Sequence, residues 1–274
     1  MRNWLKDQTV IVSGASGGIG KELATLLVQK YGASVIGLGR NEEKLRALQS
    51  ELGNAFSYRI FDVSQKENWQ TFRSELESNA IQPILLINNA GAFPALQRAL
   101  SVSSERVEQI LQTNFLSAVY AIEALSPILC GHGKDKPAIV NVCSSAALCS
   151  LAGAAVYSAS KGALKSYTEC LQLEEKGKKY IGIVYPGTTA TELFRDDTNV
   201  QNSAMGMIAM PAAKMAKKIL RRIIRRKKRS VLGWDAKFMS FSARIMPVKG
   251  PALIRWVMKI SRSKAFTNVF EYKK

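Results

Sequence analysis

Across its first 190 residues the chain alternates short apolar runs with helical patterns, and this order restricts the fold more than any other feature. Such runs are typical of strands buried on both faces of a parallel sheet, with helices as crossovers. Right-handed crossovers then predict an α/β fold: a single doubly wound parallel sheet of about seven strands with helices on both faces. The predicted strands cover residues 9–13, 34–39, 55–62, 83–88, 138–144, 180–185 and, at one edge, 230–233. The predicted helices cover residues 22–31, 41–52, 66–79, 104–129 and 155–174.

No repeat, low-complexity tract or long linker divides the 274 residues. We therefore predict one dinucleotide-binding and catalytic domain over residues 1–233, followed by a basic, aromatic-rich helical extension over 234–274. The single histidine, His132, excludes metal cages and catalytic triads built on histidine within one chain. The four cysteines form no CxxC pair, so we predict no metal site and a reduced, cytoplasmic environment.

A glycine-rich turn follows the first predicted strand, and its predicted cofactor contacts are the small residues Gly14, Ser16, Gly18 and Gly20 together with Ile19 at the helix start. Small residues let a backbone approach a pyrophosphate closely, and a helix N-terminus offers free N–H groups to it. The spacing is GxxxGxG, which differs from the general GxGxxG dinucleotide pattern. The turn therefore predicts a dinucleotide site on a Rossmann-like sheet, and the alternative is a tight turn without a ligand.

The end of the second predicted strand bears on which dinucleotide binds. An acidic residue there would accept from the ribose 2′-hydroxyl and repel a 2′-phosphate. The sequence instead has Arg40, whose guanidinium can pair with a phosphate. NADP(H) is therefore favoured over NAD(H), unless Arg40 only solvates the start of the next helix.

Tyr157 and Lys161 lie four residues apart at the start of a predicted helix and so share one helical face. A tyrosine with a pKa near ~10 is a weak acid–base catalyst at neutral pH. A neighbouring ammonium and an oxidised nicotinamide would favour the phenolate and lower that pKa. The pair therefore predicts proton transfer to a carbonyl or from an alcohol by Tyr157.

These motifs, in this order, closely resemble those of the short-chain dehydrogenase/reductase family over residues 7–195. The resemblance implies that Ser144, about thirteen residues before the tyrosine, holds the substrate oxygen and that Asn114 completes a proton relay through Lys161. Lys161 would also hold the nicotinamide ribose. Further cofactor contacts implied by the resemblance are Asp62, Val63, Asn89, Ala90, Gly91, Pro186, Gly187 and Thr191.

The combined interpretation is an NADPH-dependent oxidoreductase that moves a hydride between nicotinamide and a ketone or secondary alcohol. Apolar residues in the segment 191–210, where the family builds its substrate lid, favour a lipid-like substrate of the steroid, retinoid, sphingoid or acyl type. The alternative function is an NADP(H)-binding redox sensor or scaffold. The resemblance also implies a homodimer or homotetramer.

Basic charge is concentrated in the last fifth of the chain. Residues 1–213 hold 20 basic and 19 acidic residues, whereas residues 214–274 hold 19 basic and 2 acidic residues. Residues 214–229 also show an amphipathic helical pattern, which either covers the sheet or rests on a membrane. We therefore keep two predictions for 214–274, an anionic membrane surface or a solvated surface, and expect no nucleic acid because no recognition motif is present.

Overall fold

A seven-stranded parallel sheet forms the centre of the protein, in the order β3-β2-β1-β4-β5-β6-β9. The computed structural model describes residues 3–94, 96–190, 209–260 and 269–270. The strands of the sheet are β1 (Thr9–Ser13), β2 (Ser34–Gly39), β3 (Phe56–Ile60), β4 (Leu85–Asn88), β5 (Ala138–Val142), β6 (Tyr180–Pro186) and β9 (Arg229–Leu232). Two further short strands, β7 (Thr189–Ala190) and β8 (Met210–Pro211), pair with each other beside it.

Nine helices are described in these ranges, and they cover both faces of the sheet. Their bounds are α1 (Gly18–Tyr31), α2 (Glu42–Leu52), α3 (Lys66–Ser78), α4 (Ser104–Leu111), α5 (Ser117–Leu125), α6 (Ala155–Glu174), α7 (Ala212–Ile224), α8 (Trp234–Ile245) and α9 (Lys249–Ile260). The predicted doubly wound fold is confirmed, with a helical extension formed by α8 and α9.

Two apolar layers sandwich the sheet because successive strand residues point to opposite faces. Val10 and Val12 of β1 face a core formed with α1, α2 and α7, whereas Ile11 faces a core formed with α3, α5 and α6. All three side chains are fully buried. This double burial explains why the strands read as continuous apolar runs.

The prediction of one continuous helix over residues 104–129 is wrong, because the observed helix is interrupted and ends earlier. A π-helical turn over Gln112–Leu116 separates α4 from α5, and α5 ends at Leu125. A π-turn inserts extra backbone into a helix and redirects the side chains within it, often at functional sites. Asn114 lies in this turn.

The amphipathic stretch after residue 213 has its apolar side inside the protein. Met215, Ile219 and Ile223 of α7 are fully buried in the core that covers the sheet. The first of the two readings of residues 214–229, a helix that covers the sheet, is therefore what the structure shows. None of the helices in the described ranges is long and apolar enough to cross a bilayer.

Candidate active site

A cleft of about 320 Å³ opens at the carboxyl edge of the sheet. The strand order reverses between β1 and β4, and in open α/β sheets this switch point is where a ligand crevice forms. Fifteen of the predicted site residues line it: Gly14, Ser16, Gly18, Ile19, Arg40, Asp62, Val63, Asn89, Ala90, Gly91, Ser144, Tyr157, Lys161, Pro186 and Gly187. The sequence motifs therefore converge on one site.

The glycine turn fits closely against the end of β4. Gly14 has a φ of +70°, and a Cβ there would lie 2.9 Å from the Cα of Ala90. Gly20 does not line the cleft; a Cβ there would lie 2.0 Å from the carbonyl oxygen of Gly14. Gly20 thus allows the helix to pack against the turn, and Gly14 allows the turn to pack against β4.

Ser13 and Asn89 tie the two strand ends together. The Ser13 hydroxyl accepts hydrogen bonds from the backbone N–H groups of Asn89 and Ala90, both at 3.0 Å. In return, the Asn89 side chain donates to the carbonyl of Ser13 at 3.0 Å. Ser13 was not among the predicted site residues. The one sequence feature that could have identified it is its position at the end of the first apolar run.

Arg40 and Asp62 form the outer wall of the cleft beyond β2 and β3. The Arg40 guanidinium lies 3.8 Å from Asp62 Oδ2 and is largely exposed, so the ion pair is weak. Asp62 Oδ1 accepts from the N–H of Ser64 at 2.9 Å and from its hydroxyl at 2.8 Å. Asp62 is thus fixed by its own turn, while Arg40 can turn toward an anionic group in the cleft.

Tyr157, Ser144 and Lys161 meet on the opposite wall. Tyr157 and Lys161 project from the first turns of α6, and Ser144 precedes the short 3₁₀ turn Ser145–Ala147, whose Ala146 N–H it accepts at 3.2 Å. The Phe93 ring packs edge-on against Tyr157 with centroids 4.7 Å apart. The buried Lys161 ammonium donates to the carbonyl of Val142 at 3.3 Å.

Burial dominates the protonation of this group when the protein stands alone. It raises the pKa of Tyr157 to about 12, against the lowering effect of a hydrogen bond with Ser144. Burial also lowers the pKa of Lys161. The predicted lowering of the tyrosine pKa depends on an ammonium together with an oxidised nicotinamide, and that combined effect stays a prediction.

Asn114 lies behind the cleft and connects two of its walls. Its Oδ1 accepts from the Ala92 N–H at 2.6 Å, and its Nδ2 donates to the Ala92 carbonyl at 2.9 Å and to the Ser160 hydroxyl at 3.1 Å. Ser160 in turn donates to the carbonyl of Tyr157 at 2.8 Å. Asn114 therefore fixes the loop after β4 against α6, and it does not line the cleft itself.

The loop after β6 closes the remaining side of the cleft. The cleft is lined there by Pro186 at the end of β6, by Gly187 and Thr188, and by Thr189 at the start of β7. The Thr188 N–H donates to Asp235 Oδ2 at 2.6 Å. Sequence reasoning missed Asp235 because it lies 47 positions downstream of this loop. The predicted contact Thr191 lies outside the described residues.

Cys143 also lines the cleft but shows no sign of reactivity. It is buried, its thiol donates to the Lys161 carbonyl at 3.2 Å, and burial raises its pKa to about 11. Redox-sensing cysteines need thiolate character and access to solvent. Cys143 is therefore a core residue that helps to hold α6 against β5.

Comparisons with known proteins show the family to which the chain belongs. The family model described as short chain dehydrogenase matches residues 8–202. A serine 3-dehydrogenase of Agrobacterium fabrum strain C58 is 31% identical over 185 residues, which cover 67% of this chain and 73% of that protein. An NADPH-dependent pterin aldehyde reductase of Arabidopsis thaliana is 29% identical over 190 residues, 68% of this chain and 76% of that protein.

A solved relative extends the likeness to three dimensions. A short chain dehydrogenase from Shigella flexneri 2a strain 301, in complex with NADP, superposes with a TM-score of 0.75 at 26% identity. The match covers 86% of this chain and all of the other. Fold, site geometry and family match agree, and the chain belongs to the short-chain dehydrogenase/reductase family of oxidoreductases that act on alcohol and carbonyl groups.

Proposed function

We propose that the protein is an NADP(H)-dependent oxidoreductase that interconverts a ketone and a secondary alcohol, with Ser144, Tyr157 and Lys161 as its catalytic residues. The observation that carries the proposal is the convergence of these three side chains in one cleft, facing the glycine turn across it. Asn114 acts as a positioning residue behind them.

The residues of the cleft fit a dinucleotide. A Cβ at Gly14 or Gly20 would collide with backbone, so the turn is built for close approach at the N-terminus of α1. Arg40 would pair with a 2′-phosphate, and Asp62 and Val63 line the same cleft. When bound, the cofactor supplies or accepts the hydride.

Each catalytic side chain has a distinct part in the reaction. Ser144 holds the substrate oxygen, where negative charge develops as a carbonyl is reduced. Tyr157 donates a proton to that oxygen, and the reverse reaction returns it. Lys161 would bind the nicotinamide ribose. It lies beside Gly91, where a Cβ would be 3.3 Å from both Lys161 Nζ and Asn114 Oδ1. During reduction Tyr157 would regain its proton from solvent through Lys161 and a water supported by Asn114, and during oxidation the proton would leave by the same route.

Apolar walls beside Tyr157 support an apolar substrate. Phe93, Ala146 and Leu151 line the cleft next to the tyrosine, and Met258 and Phe270 pack behind them. Leu193, Phe194, Met205, Met207 and Ile208 of the expected lid lie outside the described residues. We propose a lipid-like ketone or alcohol, of the steroid, retinoid, sphingoid or acyl type, and a cytoplasmic homodimer or homotetramer.

The test is the consumption of NADPH, followed by absorbance, against a panel of lipid ketones and small polar carbonyls, with NADH as the control cofactor. Turnover of apolar ketones with NADPH supports the whole proposal. Turnover of polar carbonyls alone, as the names of the serine and pterin aldehyde relatives would suggest, refutes the lipid substrate and leaves the enzyme. Tight NADPH binding without turnover favours the alternative, a redox sensor or scaffold.

A further inference from the structure

The helical extension presents an unusual outer surface. Trp234, Phe238, Phe241 and Ile245 of α8 recur at intervals of four, three and four residues, so they form one stripe along the helix. All four are exposed, whereas Asp235, Ala236 and Ser242, which lie outside the stripe, are buried. An exposed stripe of large apolar side chains marks a surface that contacts a partner.

Helix α9, which packs against α8, also exposes large apolar side chains. Trp256, Val257 and Ile260 are exposed, while Met258 is buried beside Tyr157 in the apolar cluster of the active site. We call the exposed stripe of α8 together with the exposed residues of α9 the outer face. Val248, in the turn between the two helices, is also exposed.

Basic side chains border the outer face. Lys237 and Arg244 lie on the exposed side of α8, along one edge of its stripe, and Lys249, Arg255 and Lys259 are exposed on α9. Asp235 is the only acidic residue of the two helices, and it is buried in the contact with the loop after β6. Within the described residues of α8 and α9, the outer face therefore combines aromatic rings with an excess of positive charge.

We propose that the outer face docks the protein onto the surface of an anionic lipid bilayer. Amphipathic helices with Trp, Phe and Leu on one side and Lys or Arg beside them lie in the interface of such membranes. Each Lys or Arg near the surface adds to the attraction to acidic headgroups. A second copy of the chain is a poorer partner, because it would bring the same basic residues face to face.

A second cavity supports a phosphate-bearing partner. It lies beside α9, and its described lining includes Arg98, Arg255 and Lys259 but no acidic side chain. Its apolar floor includes Phe270, over whose ring Arg255 lies at 5.6 Å from the centroid. Cationic walls on an apolar floor suit a headgroup phosphate with its acyl chain below.

The proposal is independent of which carbonyl compound the enzyme reduces. It also places the apolar side of the active site within one helix of the membrane, since Met258 of α9 contacts the cluster that holds Tyr157. A substrate that partitions into lipid would then have a short path to the cleft.

The four tryptophans make the test direct. Trp234 and Trp256 are 64% and 57% exposed on the outer face, whereas Trp4 and Trp69 are only 6% and 1% exposed elsewhere. We expect vesicles of phosphatidylcholine with phosphatidylglycerol to retain the full-length protein at low salt and to shift its emission to the blue. Brominated lipids should quench that emission. In the Trp234→Phe/Trp256→Phe variant the remaining emission should resist quenching, and equal quenching would overturn the proposed orientation.

Matched variants separate docking from simple charge attraction. The Phe238→Ser/Phe241→Ser variant keeps the net charge and should lose about tenfold or more in vesicle affinity, because each ring leaves the interface. Two further variants remove the same charge from different places. One is Lys237→Ser/Arg244→Ser on α8, and the other is Lys214→Ser/Lys217→Ser on α7. The α8 pair should weaken binding several-fold more than the α7 pair.

Four results would overturn the proposal. The first is no retention on anionic vesicles at low salt, and the second is an equal loss of affinity in the α7 and α8 charge variants. The third is a wild-type dimer that the Phe238→Ser/Phe241→Ser variant converts to a monomer. The fourth is binding of duplex DNA without binding of vesicles. Because vesicle binding is measured without substrate or cofactor, a failure of the proposed enzymatic function would not mimic any of them.

Discussion

Asp235 joins the helical extension to the cofactor side of the cleft, and we expect its removal to weaken both. Its Oδ2 accepts the Thr188 N–H at 2.6 Å. Its Oδ1 fills the space in front of Gly187, where a Cβ would lie only 2.2 Å from that oxygen. The carboxylate therefore holds the loop after β6 by a hydrogen bond and by direct packing.

The Asp235→Ala change leaves the Thr188 N–H without its charged acceptor. A hydrogen bond to a charged group contributes about 1.5–3 kcal/mol, and an unsatisfied buried donor costs a similar amount. We expect the free energy of unfolding to fall by about 2 kcal/mol, which lowers the melting temperature of a chain this long by about 4–8 °C. If about 1 kcal/mol of this loss is the cost of holding the loop in its binding conformation, the Kd for NADPH rises about fivefold.

A double-mutant cycle tests whether the packing contact is real. Gly187→Ala alone should be destabilising, because the new methyl group collides with Asp235. Once Asp235 is Ala, the methyl group has room. The Gly187→Ala/Asp235→Ala variant should therefore lose less free energy of unfolding than the two single variants lose together, by about 1 kcal/mol or more. Asp235→Asn, which keeps the shape and one oxygen acceptor, is the matched control and should lose less than Asp235→Ala.

The assays are chemical denaturation for stability and fluorescence titration with NADPH for affinity. Strictly additive losses in the cycle would refute the contact between Asp235 and Gly187. An Asp235→Ala variant with wild-type stability and wild-type NADPH affinity would refute the role of Asp235 in holding the loop.

Three further predictions concern the cleft. Tyr157→Phe should abolish turnover while the Kd for NADPH from fluorescence titration stays within about twofold, because the phenol donates the proton but the ring still packs on Phe93. Burial keeps Tyr157 protonated at neutral pH, so the rate of carbonyl reduction should change little between about pH 6 and 9. The rate of alcohol oxidation, which needs the phenolate, should rise with pH. Initial rates measured against pH in both directions check this. Arg40→Asp should raise the KM for NADPH tenfold or more and leave the KM for NADH unchanged or lower, and equal effects on both cofactors would contradict a phosphate contact.

The sheet and the cleft motifs were predictable because each depends on short-range sequence. Residues 9–13 and 34–39 were assigned to strands with the observed bounds, since a strand buried on both faces is a continuous apolar run. The glycine turn and the Tyr157–Lys161 pair are likewise local patterns. The carboxyl ends of parallel strands meet at one edge, so correct strands were enough to bring the motifs together.

The features that escaped prediction depend on contacts between distant parts of the chain. The π-turn at Asn114 has no helix-breaking residue in its sequence, and it is supported by hydrogen bonds to Ala92 and Ser160. The sequence shows Asp235 only as one of two acidic residues in the basic segment 214–274, and nothing in that segment indicates its contact with the loop after β6. The pKa of Tyr157 depends on how completely α6 buries the phenol, which no spacing reveals.

The C-terminal extension connects the chemistry of the cleft to the surface of the protein. On its inner side, Asp235 of α8 holds the loop after β6 and Met258 of α9 packs near Tyr157. On its outer side, the same two helices carry the aromatic and basic outer face. A force that repositions α8, such as insertion of Phe238 and Phe241 into a bilayer, would therefore act on the cofactor loop through Asp235. It follows that anionic vesicles should change the KM for NADPH in the wild type and have no such effect in Asp235→Ala, a coupling that steady-state kinetics with a small soluble carbonyl can measure.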